Sequence, residues 1–164
     1  MILLNGSIVF PHPESNHDHD VLAVGGDLSI ERLLLAYHYG IFPWFAEGDP
    51  IMWWSPRERY VLPPSEVKVS KSMRNIINRG IYRYTFDAAF VNVIEACSFV
   101  KRQGQPEDRG WLSEDMIDAY LSLHELGYAH SVEVWNQEDE LVGGLYGVTI
   151  GNALRRVLLS SLQG

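Results

Sequence analysis

Apolar and polar positions along the chain fall into short periodic runs separated by glycine, proline and serine. Over residues 30–39, Leu33, Leu34 and Tyr37 follow the 3, 4, 7 spacing of an amphipathic helix, with Ser29 as its N-cap and Gly40 as its stop. Ser70 or Ser72 can cap a short helix carrying Met73, Ile76 and Ile77, which Gly80 ends. Residues 82–86 alternate and are aromatic, as a strand is. Asp87 then suits the N-cap of a helix over 88–100, with Phe90, Val91, Ile94 and Cys97 on one face. Ser113 opens another helix, whose positive N-terminal end suits Glu114 and Asp115, and whose stripe is Ile117, Tyr120, Leu121 and His124 before Gly127. Two strands, 131–135 and 140–150, read as a hairpin around the polar turn Asn136 to Asp139. Gly143, Gly144 and Gly147 weaken the second of these strands and point to a bulge or a close backbone approach. Residues 1–20 read as an irregular lead-in, and Ala153 to Leu162 carry an amphipathic pattern with Leu154, Val157, Leu158, Ser161 and Leu162 on one face. The mixture of elements predicts an α/β (α+β) chain.

A length of 164 residues, 46% apolar and 21% charged, is enough for one sizeable core or two small lobes. No apolar run approaches the ~20 residues needed to span a bilayer, and the N-terminus lacks a signal-peptide pattern, so the expected location is cytoplasmic, without a membrane partner. The net charge of −8 argues against a general DNA binder but leaves room for a local basic patch. Lys68, Lys71, Arg74, Arg79 and Arg83 form the densest basic cluster, which is either a solvated helix face or a phosphate contact surface. Cys97, the one cysteine, is most simply a buried small hydrophobe. The His-Asp alternation at 17–20 is too flexible a setting to fix a metal. His124, His130 and Ser131 lack the nucleophile elbow of a hydrolase, and His124 is expected to pack or hydrogen-bond locally. Three of the five tryptophans, Trp44, Trp53 and Trp54, stand in one segment broken by Pro43, Pro50 and Pro56. Either they form an aromatic mini-core under a loop, or stiff irregular backbone presents them as a shelf for a flat ligand.

Several segments carry a resemblance. They are Gly25-Gly26-Asp27-Leu28-Ser29 with Glu31-Arg32-Leu33-Leu34, then Gly40-Ile41-Phe42-Pro43-Trp44-Phe45 and Trp53-Trp54-Ser55-Pro56. Further on come Leu123-His124-Glu125-Leu126-Gly127, His130-Ser131 with Glu133-Val134-Trp135, and Leu141-Val142-Gly143-Gly144-Leu145-Tyr146-Gly147-Val148. Together, from about residue 20 to about 148, they resemble the leucyl/phenylalanyl-tRNA–protein transferase family. The resemblance implies a small N-terminal lobe (1–65) and a partial lobe like that of the N-acetyltransferases (66–148). It implies transfer of Leu or Phe, also Met, from aminoacyl-tRNA to an N-terminal Arg or Lys of acceptor proteins, marking them for N-degron proteolysis, with no metal, ATP or organic cofactor. Trp44 and Trp111 are then expected to hold the aminoacyl-adenosine end, by stacking worth ~1–3 kcal/mol per base. Leu145 is expected to line an apolar amino-acid pocket, with Gly144 and Tyr146 beside it. Lys71, Arg74 and Arg79 are the expected tRNA phosphate contacts.

After Val148 the pattern changes. Residues 149–164, with Gly151-Asn152-Ala153-Leu154-Arg155-Arg156, resemble instead the N-terminal dimerisation helix of the bacterial RNA polymerase alpha subunit. The family's catalytic carboxylates are expected downstream of the Gly-rich strand, so no catalytic residue is assigned and activity of this chain is expected to be impaired. The alternative is a non-catalytic module that binds the aminoacyl-tRNA end, or a scaffold dimerising through a C-terminal helix.

Overall fold

The computed structural model describes residues 2–15, 19–99, 112–149 and 160–161. Strands β1 (Ile2–Leu4), β2 (Val21–Gly25), β3 (Phe42–Pro43) and β4 (Met52–Trp54) form one sheet in the order β1-β2-β4-β3, with only the β1–β2 pair parallel. Helix α1 (Ile30–His38) lies between β2 and β3 in the chain. After helix α2 (Lys71–Asn78), the second sheet is built from β5 (Arg83–Phe86), β6 (Ala129–Trp135), β7 (Leu141–Val148) and β8 (Ser160–Ser161), antiparallel throughout. Helices α3 (Phe90–Phe99) and α4 (Glu114–Glu125) pack on it. The chain is thus α+β, and the buried residues of both sheets belong to one core, in which Leu33, Tyr37 and Trp53 join Phe90, Ile94, Met116, Tyr120 and Tyr146.

The predicted turn chemistry holds at several ends. Ser70 and Ser113 accept hydrogen bonds from the Met73 and Met116 N–H groups, as N-caps do. Gly40, Gly80 and Gly127 all take positive φ just past helices. Several expectations change. The lead-in read as irregular contains β1, because Ile2–Leu4 pairs in parallel with β2. In α4 the buried residues are Met116, Tyr120 and Leu123, with Ile117, Leu121 and His124 only half-buried, since the stripe facing the core runs one position earlier. Ser29 occupies the cap position of α1 without a side-chain cap, because Asp27 Oδ1 accepts the Ser29 N–H and closes the turn itself. Val91 is exposed, and Val93 takes its place beside Phe90, Ile94 and Cys97, since the buried stripe follows the helical period from Phe90. Of the C-terminal helix, Ser160 and Ser161 are instead a strand, paired with Tyr146 and Leu145, because the open edge of β7 offers its N–H and C=O groups there. The other residues of that segment, and His17 and Asp18 of the lead-in, lie outside the described residues. None of the described helices is long and apolar enough to cross a membrane.

Candidate active site

The β3–β4 hairpin sorts the clustered indoles. Pro43 pairs with Trp53 and Phe42 with Trp54. Trp53 is fully buried and donates its Nε1–H to the Gly25 carbonyl at 2.9 Å. Trp44, 44% exposed, is anchored by its N–H to the Met52 carbonyl at 2.9 Å, while its own carbonyl accepts the Trp54 Nε1–H at 2.7 Å. The two rings stand 5.3 Å apart at 51°. One tryptophan therefore belongs to the core, and a second is offered to solvent on backbone fixed at both ends. Trp111, the other expected platform indole, lies outside the described residues.

The second sheet has two unlike faces. Register places Tyr84 opposite Val134 and Gly143, and Phe86 opposite Val132 and Leu145, so these side chains share a face with His130 and Gly147. Tyr84 and Phe86 are about 70% exposed, meeting each other edge to face at 6.4 Å, while Val132, Val134, Gly144 and Leu145 are half-buried. A register shift at Val134/Trp135 places a bulge beside Gly143, as the glycines suggested. On the inward face, Tyr146 is buried, edge-on to Phe90 at 6.1 Å and to Tyr120 at 5.7 Å.

Also inward is Glu133, a fully buried carboxylate. It accepts the Thr85 and Ser131 hydroxyls, each at 2.5 Å, and the Ala88 and Ala89 N–H groups at 3.4 and 3.3 Å. Burial pushes its carboxyl up, but the bonds from Ser131, Thr85, Ala89 and Ala88 outweigh that and hold it below the ordinary carboxylate value. Glu133 thereby takes the capping role at α3 that the sequence assigned to Asp87. Asp87 sits at φ 54° and turns to β6, where its Oδ1 accepts the Ser131 N–H at 2.8 Å and its Oδ2 lies 2.7 Å from His130 Nδ1. Burial pushes the Asp87 carboxyl up, and the bonds from His130 and Ser131 with the two nearby imidazoles bring it below its usual value. His124 lies face to face with Phe90 at 4.2 Å, its Nδ1 2.8 Å from the Ala129 carbonyl, the local packing that the sequence suggested. Sequence reasoning passed over Glu133. The available signal was its parity with Ser131, which places a charge on the inward side of a half-apolar strand.

The basic cluster divides. Arg83 donates to Asp139 at 2.7 Å and lies 5.3 Å from the Trp135 ring centroid. Lys71 and Arg74 lie on one side of α2 and Met73, Ile76 and Ile77 on the other, by helical geometry, with Arg79 at the C-cap. No residue of α2 is buried, and Met73 and Ile77 are exposed. Lys71 and Arg74 are accordingly surface cations on a helix that is little packed.

Residues 26–57 match a family model described as leucyl/phenylalanyl-tRNA protein transferase N-terminal domain, and residues 61–155 match one described as leucyl/phenylalanyl-tRNA protein transferase. The second match ends beyond Val148. The chain is 55% identical over 148 residues to a leucyl/phenylalanyl-tRNA–protein transferase of Flavobacterium psychrophilum, covering 90% of this chain and 69% of the relative. It is 54% identical over 145 residues to that of Myxococcus xanthus, covering 88% of this chain and 61% of the relative. It is 51% identical over 147 residues to that of Escherichia coli O1:K1 / APEC, covering 88% and 60%. The chain thus spans about 60–70% of the length of these relatives.

Proposed function

This chain belongs to the leucyl/phenylalanyl-tRNA protein transferase family, and from that premise we propose that it moves leucine or phenylalanine from the 3′ end of a charged tRNA to the N-terminal Arg or Lys of an acceptor protein, so marking that protein for degradation in the cytoplasm. The observation that carries the reading is Trp44, an indole half open to solvent on a hairpin whose neighbouring Trp53 is locked in the core. A terminal adenine splayed from its strand needs such a π-surface, and sequence-independent stacking suits a ligand whose last bases are invariant. The half-buried wall of Leu145, Val132 and Val134 suits an apolar side chain such as that of leucine or phenylalanine, selected loosely because one methylene is worth only ~1–3 kcal/mol.

The chemistry follows from the substrate. An aminoacyl ester is already activated, so the acceptor α-amine attacks its carbonyl carbon, the C–N bond forms, and the ribose oxygen leaves. Lys71, Arg74 and Arg79 are proposed to meet tRNA phosphates, which position the ligand without reading sequence. The test is transfer of labelled leucine from charged tRNA to a protein beginning with Arg, with a protein beginning with Ala as control. Trp44→Ala should weaken an aminoacyl-adenosine analogue by ~1–3 kcal/mol, about 5- to 150-fold, while the fold survives. Normal affinity in a destabilised Trp44→Ala protein would instead make this indole a packing residue.

A further inference from the structure

Of the three indoles on the β3–β4 hairpin, Trp53 belongs to the core and Trp44 to the proposed platform, which leaves Trp54 without a task. Its backbone is fixed from both edges: β4 pairs with β2 through Val21 and with β3 through Phe42 at this residue. The Ser55 N–H extends the hold by donating to the Asp20 carbonyl at 2.8 Å. Trp44, by contrast, comes just after the end of β3, where its N–H reaches the Met52 carbonyl at 2.9 Å.

Pairing decides where the side chains go. Trp54 lies opposite Phe42, and the hairpin bond sets Trp44 opposite Met52, so Trp44 and Trp54 are diagonal neighbours on one face while Pro43 and Trp53 take the other. Two contacts then join the pair. The Trp54 Nε1–H donates to the Trp44 carbonyl at 2.7 Å, which fixes the peptide group that follows Trp44. The ring centroids are 5.3 Å apart at 51°. Two consecutive stacked bases would need parallel platforms, so this tilt argues against a second base on Trp54 and suits a wall behind one ring. Trp54 is half-buried and Trp44 is 44% exposed, so the inner indole braces the outer. Leucine or phenylalanine at position 54 would offer apolar contact without a donor; the indole supplies both.

We propose that Trp54 is the positioning residue of the adenosine platform: ring contact and the bond to the Trp44 carbonyl hold the Trp44 indole in its ligand-ready rotamer, and Trp54 takes no base itself. The inference rests on the reading of Trp44 as the adenosine platform. An aromatic side chain open to water has few neighbours to select its χ angles, and ordering it only when the ligand arrives lowers affinity. Trp54 orders it during folding. Preorganising one such side chain is worth about 2- to 10-fold in affinity.

The experiment is a double-mutant cycle on the full 164-residue chain. Trp44→Ala, Trp54→Leu and the double variant are titrated against a phenylalanyl-adenosine analogue in which an amide replaces the ester. Trp54→Leu should bind about 2- to 10-fold more weakly than the parent. The same substitution on top of Trp44→Ala should change affinity by less than about twofold, because the ring that it positions is gone. A second base platform would act independently of Trp44 and keep its effect there. Two indoles at this distance and tilt also couple excitonically. Circular dichroism of the parent minus that of Trp44→Phe should therefore contain a far-ultraviolet couplet before ligand is added, a readout that survives if Trp54→Leu fails to fold. A missing couplet, a loss under about twofold in folded Trp54→Leu, or a loss of about twofold or more in the Trp44→Ala background overturns the positioning role alone. Unchanged affinity in Trp44→Ala overturns the adenosine reading and the positioning role with it.

Discussion

Removing the carboxylate of Glu133 should be among the most damaging single changes available to this chain. The side chain is fully buried and accepts four hydrogen bonds: two from the hydroxyls of Thr85 and Ser131, two from the backbone of Ala88 and Ala89 at the start of α3. The hydroxyls can turn to new acceptors; Thr85 Oγ1 already accepts the Trp135 Nε1–H at 2.8 Å. The two amide groups cannot turn, and α3 would lose both its cap and the negative charge at its positive end. Leaving a buried donor without its acceptor costs about 1–3 kcal/mol, so the two amides alone put the loss at about 2–6 kcal/mol, a large share of the roughly 5–15 kcal/mol that holds a domain together. At about 2–4 °C per kcal/mol, Glu133→Ala should lower Tm by roughly 4–24 °C. Glu133→Gln keeps the volume but turns one acceptor into a donor facing donors, so it should lose somewhat less. The pH dependence has a fixed sign. Because the folded carboxyl is held below its ordinary value, its stabilisation is complete above the unfolded pKa of about 4.3 and is lost as pH falls through the lower folded value. Thermal melts followed by circular dichroism should show a constant gap between parent and Glu133→Gln from neutral pH down to about 5, shrinking in acid. A Glu133→Ala melt within 2 °C of the parent, or a gap that widens in acid, would falsify the account of Glu133 as a charged hub.

Replacing Lys71, Arg74 and Arg79 together by alanine should lower tRNA affinity alike for all sequences and flatten the salt dependence by about one unit per lost contact; an unchanged slope in a filter-binding titration assigns them to a plain solvated face. Ser113→Ala should cost about 1 kcal/mol in global unfolding, because α4 buries Met116, Tyr120 and Leu123. Ser70→Ala removes an equivalent cap from α2, which buries nothing, and should leave global stability within about 0.5 kcal/mol while hydrogen exchange in α2 speeds up. Gly26→Ala should destabilise by about 1–3 kcal/mol in urea melts, since φ is +78° there and a Cβ would sit 3.1 Å from the Arg32 guanidinium; an unchanged midpoint contradicts that.

The elements were legible where one residue decides them locally. Serine before and glycine after a periodic run fixed the ends of α2 and α4, and the polar turn after Trp135 fixed the β6–β7 hairpin, because caps and turns depend on neighbours in sequence. What escaped depends on residues far apart in the chain. Arg32 sits in the first helix as an apparent solvent-facing cation. It is in fact buried, with Nη2 on the Asn5 carbonyl at 2.9 Å and a bidentate contact to Asp27, which holds that carboxyl down at about 2 with help from Ser29. Nothing within five residues announces the Asn5 partner. The tryptophans posed the same difficulty, since only the Pro43–Trp53 register decides which indole goes inward. Glu133 took over the capping duty expected of Asp87 for a related reason. A cap supplied from a neighbouring strand satisfies the helix as well as one from its own first turn, and the sequence distinguishes the two only once strand parity is known. In α2 the amphipathic pattern was real, yet amphipathicity states what a helix can bury and not whether anything lies against it.

The hairpin that carries Trp44 and the strand that carries Leu145 are joined through the core between them. Helix α1 runs through Gly40 and the buried Ile41 directly into β3, which Trp44 follows, so Tyr37 near its end reports the placement of the hairpin. The Tyr37 hydroxyl bonds to that of Tyr120 on α4, and the Tyr120 ring stands edge-on, 5.7 Å from Tyr146, the residue after Leu145 on β7. Phe90 meets Tyr146 from α3, and His124 stacks on Phe90. This aromatic chain crosses from α1 to the second sheet within the core, and aromatic cores transmit position well because their rings are large, rigid and closely packed. The Tyr37 and Tyr120 hydroxyls carry no charge at any physiological pH, since burial lifts Tyr37 far above the ordinary phenol value and Tyr120 to about 12.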